Sequence, residues 1–195
     1  MTISLESFRR GLVAVAIATC VGPVGSALAE DVTIPSASPP VVVTSLGQSL
    51  DAFQVQLVVQ RAGAEVIYEQ LADIDILEGG QSLILAVGAS LKGFGEAGIS
   101  IAQERERARR FISAAEERGM PIIVVHIGGA ERRDDLSNQL IEVSAPHADV
   151  IFIRADSDGD GLFTRIAEEN DIPLVSVATI VELLPKLREM LGTGS

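Results

Sequence analysis

The chain is poor in the residues that most often announce a function. It has one cysteine, no tryptophan, one tyrosine, two histidines and only two lysines among its 195 residues. A single thiol excludes a disulfide framework and any cysteine-based metal site. The lack of tryptophan and the low aromatic content argue against a sugar-stacking surface. Positive charge is also scarce: 15 Lys and Arg stand against 27 Asp and Glu, a net charge of -12. That balance argues against nucleic acid and anionic membrane surfaces as partners. It does not exclude a small anion, which needs only local donors.

What is present begins with a leader-like segment. Arg9 and Arg10 precede the apolar run Gly11–Val21, and Gly22, Pro23 and Gly25 interrupt it before Ala27-Leu28-Ala29. This pattern predicts a signal peptide over residues 1–29, cut after Ala29, and hence a periplasmic or secreted protein with no membrane span in its mature form. Cleavage there removes Cys20, the only thiol. The arginine pair and Cys20 leave the general, twin-arginine and lipoprotein routes all open. Residues 30–40, "EDVTIPSASPP", read as a linker, 41–191 as a single domain and 192–195 as a tail. About 150 residues suffice for an ordinary core without covalent staples.

From Val41 onward, apolar runs alternate with amphipathic segments. The runs lie at 41–46, 64–69, 82–89, 121–129, 149–155 and 173–179, and four are nearly continuous Val, Ile and Leu. Such runs suit parallel strands covered on both faces. Helical spacing appears at Leu50–Ala62, with Leu50, Phe53, Leu57 and Val58 on one face, and at Ser100–Arg118, Leu136–Ser144, Leu162–Glu169 and Ile180–Leu191. Leu71–Glu78 is ambiguous. The expected fold is a single three-layer α/β/α domain with a mostly parallel sheet of five to six strands, Rossmann- or flavodoxin-like.

Gly93, Gly95 and Gly98 spell G-x-G-x-x-G, but the spacing argues against a dinucleotide loop. The preceding strand should end near Val87 or Gly88, and Ser100-x-x-Gln103 starts the next helix beyond Gly98. The following strand closes on His126-Ile127-Gly128-Gly129 rather than on an acidic residue. No cofactor is expected. Two readings remain: a glycine-rich loop over Gly88–Gly98 whose amides, with Lys92, cradle a carboxylate or phosphate, or a tight structural loop.

Ligands of open parallel sheets bind beyond the carboxyl ends of the strands. Residues following the strands are therefore the candidates: Ser45, Gly47, Gln48 and Ser49; Ser90, Lys92, Gly93, Gly95 and Gly98; His126, Gly128, Gly129, Arg132 and Arg133; Arg154, Asp156, Ser157, Asp158 and Asp160; Ser176 and Thr179. The preferred function is binding of an anionic small molecule, with Ser45, Ser90 and His126 as hydrogen-bond partners. The alternative is a hydrolase or transferase with Ser45 or Ser90 as nucleophile, His126 as base and Asp156 as its orienter. A third reading is an accessory or assembly domain with no ligand. Binding is preferred over catalysis because no motif backs a nucleophile–base pair. His126 equally suits a buried, hydrogen-bonded core position, and His147 a surface one.

Two charged stretches read as structural. "DSDGDG" at 156–161 opens like a calcium loop with Asp156, Asp158 and Asp160, but its twelfth position is Ala167 rather than Glu. The expectation is no metal, with Asp160 capping the helix that follows. In "QERERARR" at 103–110 the signs alternate and Glu106 pairs with Arg110 at i,i+4, the pattern of a solvated helix face.

The combination "GASLKGFGEAGIS", a Glu and an Arg along the next helix, "HIGGAERRDDLS" and "DGLFTRIAEENDIPL" resembles a family of exported bacterial α/β proteins described only as a domain of unknown function. The likeness covers Val41 to Leu191. Its motifs fall on Lys92, Gly93, Gly95, Gly98, His126, Gly128, Gly129, Arg132, Arg133 and Asp160, which implies where a site lies and assigns no chemistry.

Overall fold

Among the described residues six parallel strands form one sheet, and the order in which they sit side by side places the site. The computed structural model describes residues 33–194; the segment read as a signal peptide lies outside them. The strands are β1 (Val41–Leu46), β2 (Val66–Tyr68), β3 (Ser82–Val87), β4 (Ile122–His126), β5 (Val150–Arg154) and β6 (Leu174–Val177), in the order β2-β1-β3-β4-β5-β6. Every pairing is parallel, with Val41 opposite both Val66 and Ser82 and His126 opposite Ile153.

Strand side chains alternate between two apolar layers, which is why β1, β3, β4 and β5 read as unbroken hydrophobic runs. Val42, Leu46, Leu85, Val124 and Ile151 face one layer, shared with Phe111, Leu140 and Phe163. Val43, Ile84, Val125 and Phe152 face the other, shared with Val55, Val59, Leu183 and Leu187. The first layer is built by α2 (Leu91–Ala97), α3 (Ile101–Glu117), α4 (Asp135–Ser144) and α5 (Leu162–Asn170), the second by α1 (Asp51–Arg61) and α6 (Ile180–Leu191). The three-layer α/β/α architecture expected from the sequence is the one observed.

Three local expectations change. The buried face of α1 is Ala52, Val55, Val58 and Val59, while Leu50, Phe53 and Leu57 stand partly or largely exposed. Both faces carry helical spacing, and the sheet covers the one built of alanine and valine. The expected strand at 64–69 shrinks to Val66–Tyr68 on the sheet edge, and the ambiguous stretch holds a 3-10 turn at Ile74–Gly79. The second half of the expected linker is tied down: Ala37 N–H donates to the Met190 carbonyl (2.9 Å), and Ser82 Oγ exchanges hydrogen bonds with the Ser38 backbone. Among the described residues, no helix is long and apolar enough to cross a membrane.

The strand order reverses at β1 and β3, whose outgoing connections lead to opposite faces of the sheet. A crevice opens between two such connections at the carboxyl ends of the strands. Here the connections are β1–α1, carrying Gly47 to Leu50, and β3–α2, carrying Gly88 to Ser90.

Candidate functional site

The glycine-rich segment is not the open loop that its composition suggests. Ser90 caps α2 by accepting the Gly93 N–H (3.1 Å), Phe94 N–H donates to the Ser90 carbonyl, and Gly98 closes the helix in the left-handed region (φ 66°) with its N–H on the Phe94 carbonyl. The Ser100–Gln103 capping box then starts α3 as its pattern predicts. Gly93 is required for packing, because a Cβ there would overlap the Gln48 carbonyl oxygen, whereas a Cβ on Gly95 would meet open space. Lys92 projects into solvent, 84% exposed, and pairs with Glu96 at 3.6 Å. The expected amide cradle is thus a short helix. Glycines disfavour helix in isolation, but Ser90 and the seat against Gln48 hold this one.

The candidate nucleophiles and base do not come together. His126 is fully buried; its Nδ1 lies 2.8 Å from the Val87 carbonyl, its Nε2 3.5 Å from the Gly129 carbonyl, and its ring leans on Phe163. Burial lowers its pKa, more than the two carbonyls and the charge of Asp51 restore it. The neutral ring therefore donates from Nδ1 to Val87 and joins the ends of β3 and β4. Ser45 Oγ is buried and has no hydrogen-bond partner among the described residues, and Ser90 Oγ serves the α2 cap. Asp156 forms a bidentate pair with Arg154 (2.6 and 2.7 Å), and those hydrogen bonds bring its pKa to about 2. It does not orient His126.

The acidic loop divides its carboxylates among separate tasks. Asp158 accepts the N–H groups of Phe163 and Thr164 at the start of α5, while Asp160 binds Arg133 through both oxygens and also accepts the Leu162 N–H. The capping expected mainly of Asp160 falls largely to Asp158. Among the described residues, no group of three or more His, Cys, Asp or Glu side chains is placed to hold a metal ion.

The paired glycines of "HIGGAERR" serve two arginines. A Cβ on Gly128 would lie 2.6 Å from Arg132 Cδ, and one on Gly129, whose φ is +69°, would coincide with the Arg154 guanidinium. Arg133 turns away from the crevice, 8% exposed. It binds Asn138 (3.0 Å), the Ser157 carbonyl and Asp160, and covers the Phe163 ring. Arg132 is held far more loosely. Its Nε lies 3.4 Å from Asp51 Oδ2 and one Nη donates to the Ala89 carbonyl at 3.4 Å.

Asp51, Ser49 and Arg132 converge over Gly88. The position a Gly88 Cβ would take lies 3.0 Å from Asp51 Oδ2, 3.3 Å from Ser49 Oγ and 3.4 Å from Arg132 Cδ. Ser49 and Asp51 are 1% and 5% exposed, and Ser49 Oγ accepts the Asp51 N–H at 3.3 Å. Asp51 Oδ2 is buried and has no hydrogen-bond partner among the described residues; Arg132 is near enough for an ion pair but not aligned to donate. The crevice therefore combines a guanidinium, a hydroxyl and a carboxylate whose Oδ2 is held only by the long ion pair to Arg132.

This constellation is held from below by a buried ion pair. Glu104 Oε1 accepts the Gly47 N–H (2.7 Å), the Gln48 side-chain amide (2.9 Å) and an Arg107 Nη (2.9 Å), while Oε2 takes Arg107 Nε (2.8 Å). Arg107 also reaches the carbonyls of Ala72 and Ser45 and stacks on Phe111. Burial opposes the Glu104 charge, but the Arg107, Gly47 and Gln48 donors outweigh it and lower its pKa. From the other side, Gln70 donates to the Ser49 carbonyl (2.8 Å). These tethers fix Gly47 (φ 108°) and Gln48 (φ 60°) in a turn that points Ser49 and Asp51 at Gly88. The 103–110 stretch is accordingly not a solvated face throughout: Glu104 and Arg107 point inward, Glu106 pairs with Arg109, and Arg110 pairs with Asp73. Sequence reading placed Ser49 on the rim, missed Asp51, and counted Glu104 and Arg107 in a solvated face. The available signal was Gly-Gln-Ser-x-Asp directly after a buried strand.

Fold and strand order define an all-parallel, doubly wound α/β protein of the flavodoxin-like arrangement, extended by a sixth strand. A family model described as "Domain of unknown function (DUF6305)" matches residues 38–191, and the chain belongs to that family. No curated protein matches it. Among solved structures it is similar to AlinE4, an SGNH-hydrolase family esterase (15% identity, 78% of this chain and 81% of that one, TM-score 0.33). It is likewise similar to the YdjI aldolase from Escherichia coli K12 (14% identity, 79% and 64%, TM-score 0.33).

Proposed function

We propose that the protein binds a small anionic molecule, a carboxylate or a phosphate compound, in the crevice above β1 and β3. Arg132 is its principal partner. The observation that carries this reading is the contrast among the rim's cations. Arg133 is occupied by Asp160, Asn138 and Ser157, Arg154 by both oxygens of Asp156, and Lys92 stands in solvent beside Glu96. Arg132, with five N–H donors and two contacts of 3.4 Å, keeps most of its hydrogen-bonding capacity. Ser49 Oγ, which accepts from Asp51, can still donate its own hydrogen to the same ligand.

Binding is favoured over catalysis because His126 is committed to Val87 and lies with neither Ser45 nor Ser90. The Arg9-Arg10 and Ala27-Leu28-Ala29 pattern supports an exported protein. Calorimetric titration with a panel of small carboxylates and phosphates tests the reading. A ligand that binds the native chain should lose at least tenfold in affinity in Arg132→Ala and little in Lys92→Ala. Equal loss in both variants, or none in Arg132→Ala, refutes it.

A further inference from the structure

We infer that the molecule bound at Arg132 carries an ammonium group beside its acid group, and that Asp51 is the partner of that ammonium. The inference rests on the anion-binding reading above and specifies its ligand class as amino-acid-like zwitterions.

Three observations carry it. Asp51 is a carboxylate with a side chain only 7% exposed, and its Oδ2 has no hydrogen-bond partner among the described residues. Buried polar atoms are nearly always paired, and with only the long 3.4 Å ion pair to Arg132 this oxygen can accept a closer donor. Second, the crevice is mixed in sign. Arg132 stands 3.4 Å from Asp51, and Arg154, paired with Asp156 farther along the rim, responds to the charges of Asp51 and Glu131 as well. A ligand of purely negative charge would meet Asp51 unfavourably at the place where Arg132 receives it. A zwitterion meets complementary charge at both groups. Third, Gly88 carries no side chain, so Asp51 Oδ2, Ser49 Oγ and Arg132 all approach one point, 3.0, 3.3 and 3.4 Å from where its Cβ would stand.

Arg132 covers this floor, and the geometry allows it to leave. Its contacts to Asp51 and Ala89 are both 3.4 Å long, and more than a third of its side chain is exposed. The ligand's ammonium then replaces Arg132 Nε at Asp51 Oδ2, and the displaced guanidinium receives the acid group, with Ser49 Oγ donating to the same anion. No bond is made or broken in this step.

Matched pairs differing only in the amine test the proposal on the chain as it exists: L-alanine against propionate, L-aspartate against succinate, and O-phosphoethanolamine against ethyl phosphate. Titration calorimetry and thermal shift are read for each. The expected result is that the amine-bearing member of at least one pair binds ten or more times tighter than its partner. Asp51→Asn should erase that preference between the two members of the pair. Arg132→Ala should weaken both. If the amine-free member binds as tightly as its partner in each pair that binds, the zwitterion inference falls and the anion reading stands. If no member of any pair binds, both fall. Should Asp51→Asn not fold, the pair comparison on the native chain still decides.

Discussion

The guanidinium of Arg154 occupies the space in which a side chain at Gly129 would stand, and Gly129 holds a left-handed φ of +69°. One glycine thus meets two requirements, a turn that L-residues adopt at a cost and a close approach by a side chain from the next strand. Gly129→Ala should lower stability by at least about 1 kcal/mol in urea unfolding. Adding Arg154→Ala should recover the steric part and leave the backbone part, giving a coupling of about 0.5–3 kcal/mol in a double-mutant cycle. An additive cycle would show that the two residues are independent.

Arg132 and Arg133 are neighbours in sequence with different roles. Arg133, nearly buried and bonded on several sides, should cost about 2 kcal/mol when replaced by alanine, with ligand affinity changed less than by Arg132→Ala. Arg132→Ala should stay within about 1 kcal/mol of the native stability. Equilibrium unfolding and ligand titration on the two variants separate these effects.

The glycines of α2 are likewise unequal. Gly95 faces open space, so Gly95→Ala should stabilise the protein by up to about 1 kcal/mol through helix propensity. Gly93→Ala should destabilise it by about 1–3 kcal/mol by overlap with the Gln48 carbonyl. Were Gly95→Ala to abolish ligand binding, α2 would have to open for function.

Glu104 is fully buried against Arg107. Glu104→Ala should cost about 3–5 kcal/mol, since it strands a buried guanidinium and frees the Gly47 N–H. Its pKa is lowered in the fold from the ordinary 4.5. The stability it contributes is complete above that value and is lost as pH falls toward and through the folded pKa. Glu104→Gln should therefore flatten the acid limb of the stability profile below pH 4.5, measured by urea unfolding at a series of pH values.

His126 gives a pH dependence in a higher window. Its folded pKa lies below the ordinary 6.5 because burial disfavours the imidazolium. Between the two values the unfolded chain binds a proton that the folded chain does not, so stability should fall as pH drops below 6.5. His126→Asn, which keeps a donor for the Val87 carbonyl, should remove this slope between pH 7.5 and 5.5. An unchanged slope would assign it to other groups.

Much of the architecture was legible because strand burial is written locally. An uninterrupted Val/Ile/Leu run such as "LILAV" (83–87) can only be satisfied by cover on both faces. The six carboxyl ends could then be named in order, and with them Ser49, Gly88, Gly128, Gly129 and Arg132. The α2 helix stayed hidden because Gly93 and Gly95 argue against helix, and it is sustained by the Ser90 cap and by packing on Gln48.

The chain sequence by itself determined the layers, the order of elements and the rim that gathers the polar residues, since hydrophobic period and turn chemistry are properties of short stretches. Only the tertiary structure decided which charges are buried. Glu104 and Glu106 stand two residues apart in a run of alternating sign, yet one is sealed beneath Gly47 and the other lies in solvent. Asp51 looks like any acidic residue opening a helix until Gly88 and Arg132 are brought against it. Whether a charge is solvated or held in place depends on what lies across from it, and that partner comes from a distant part of the chain.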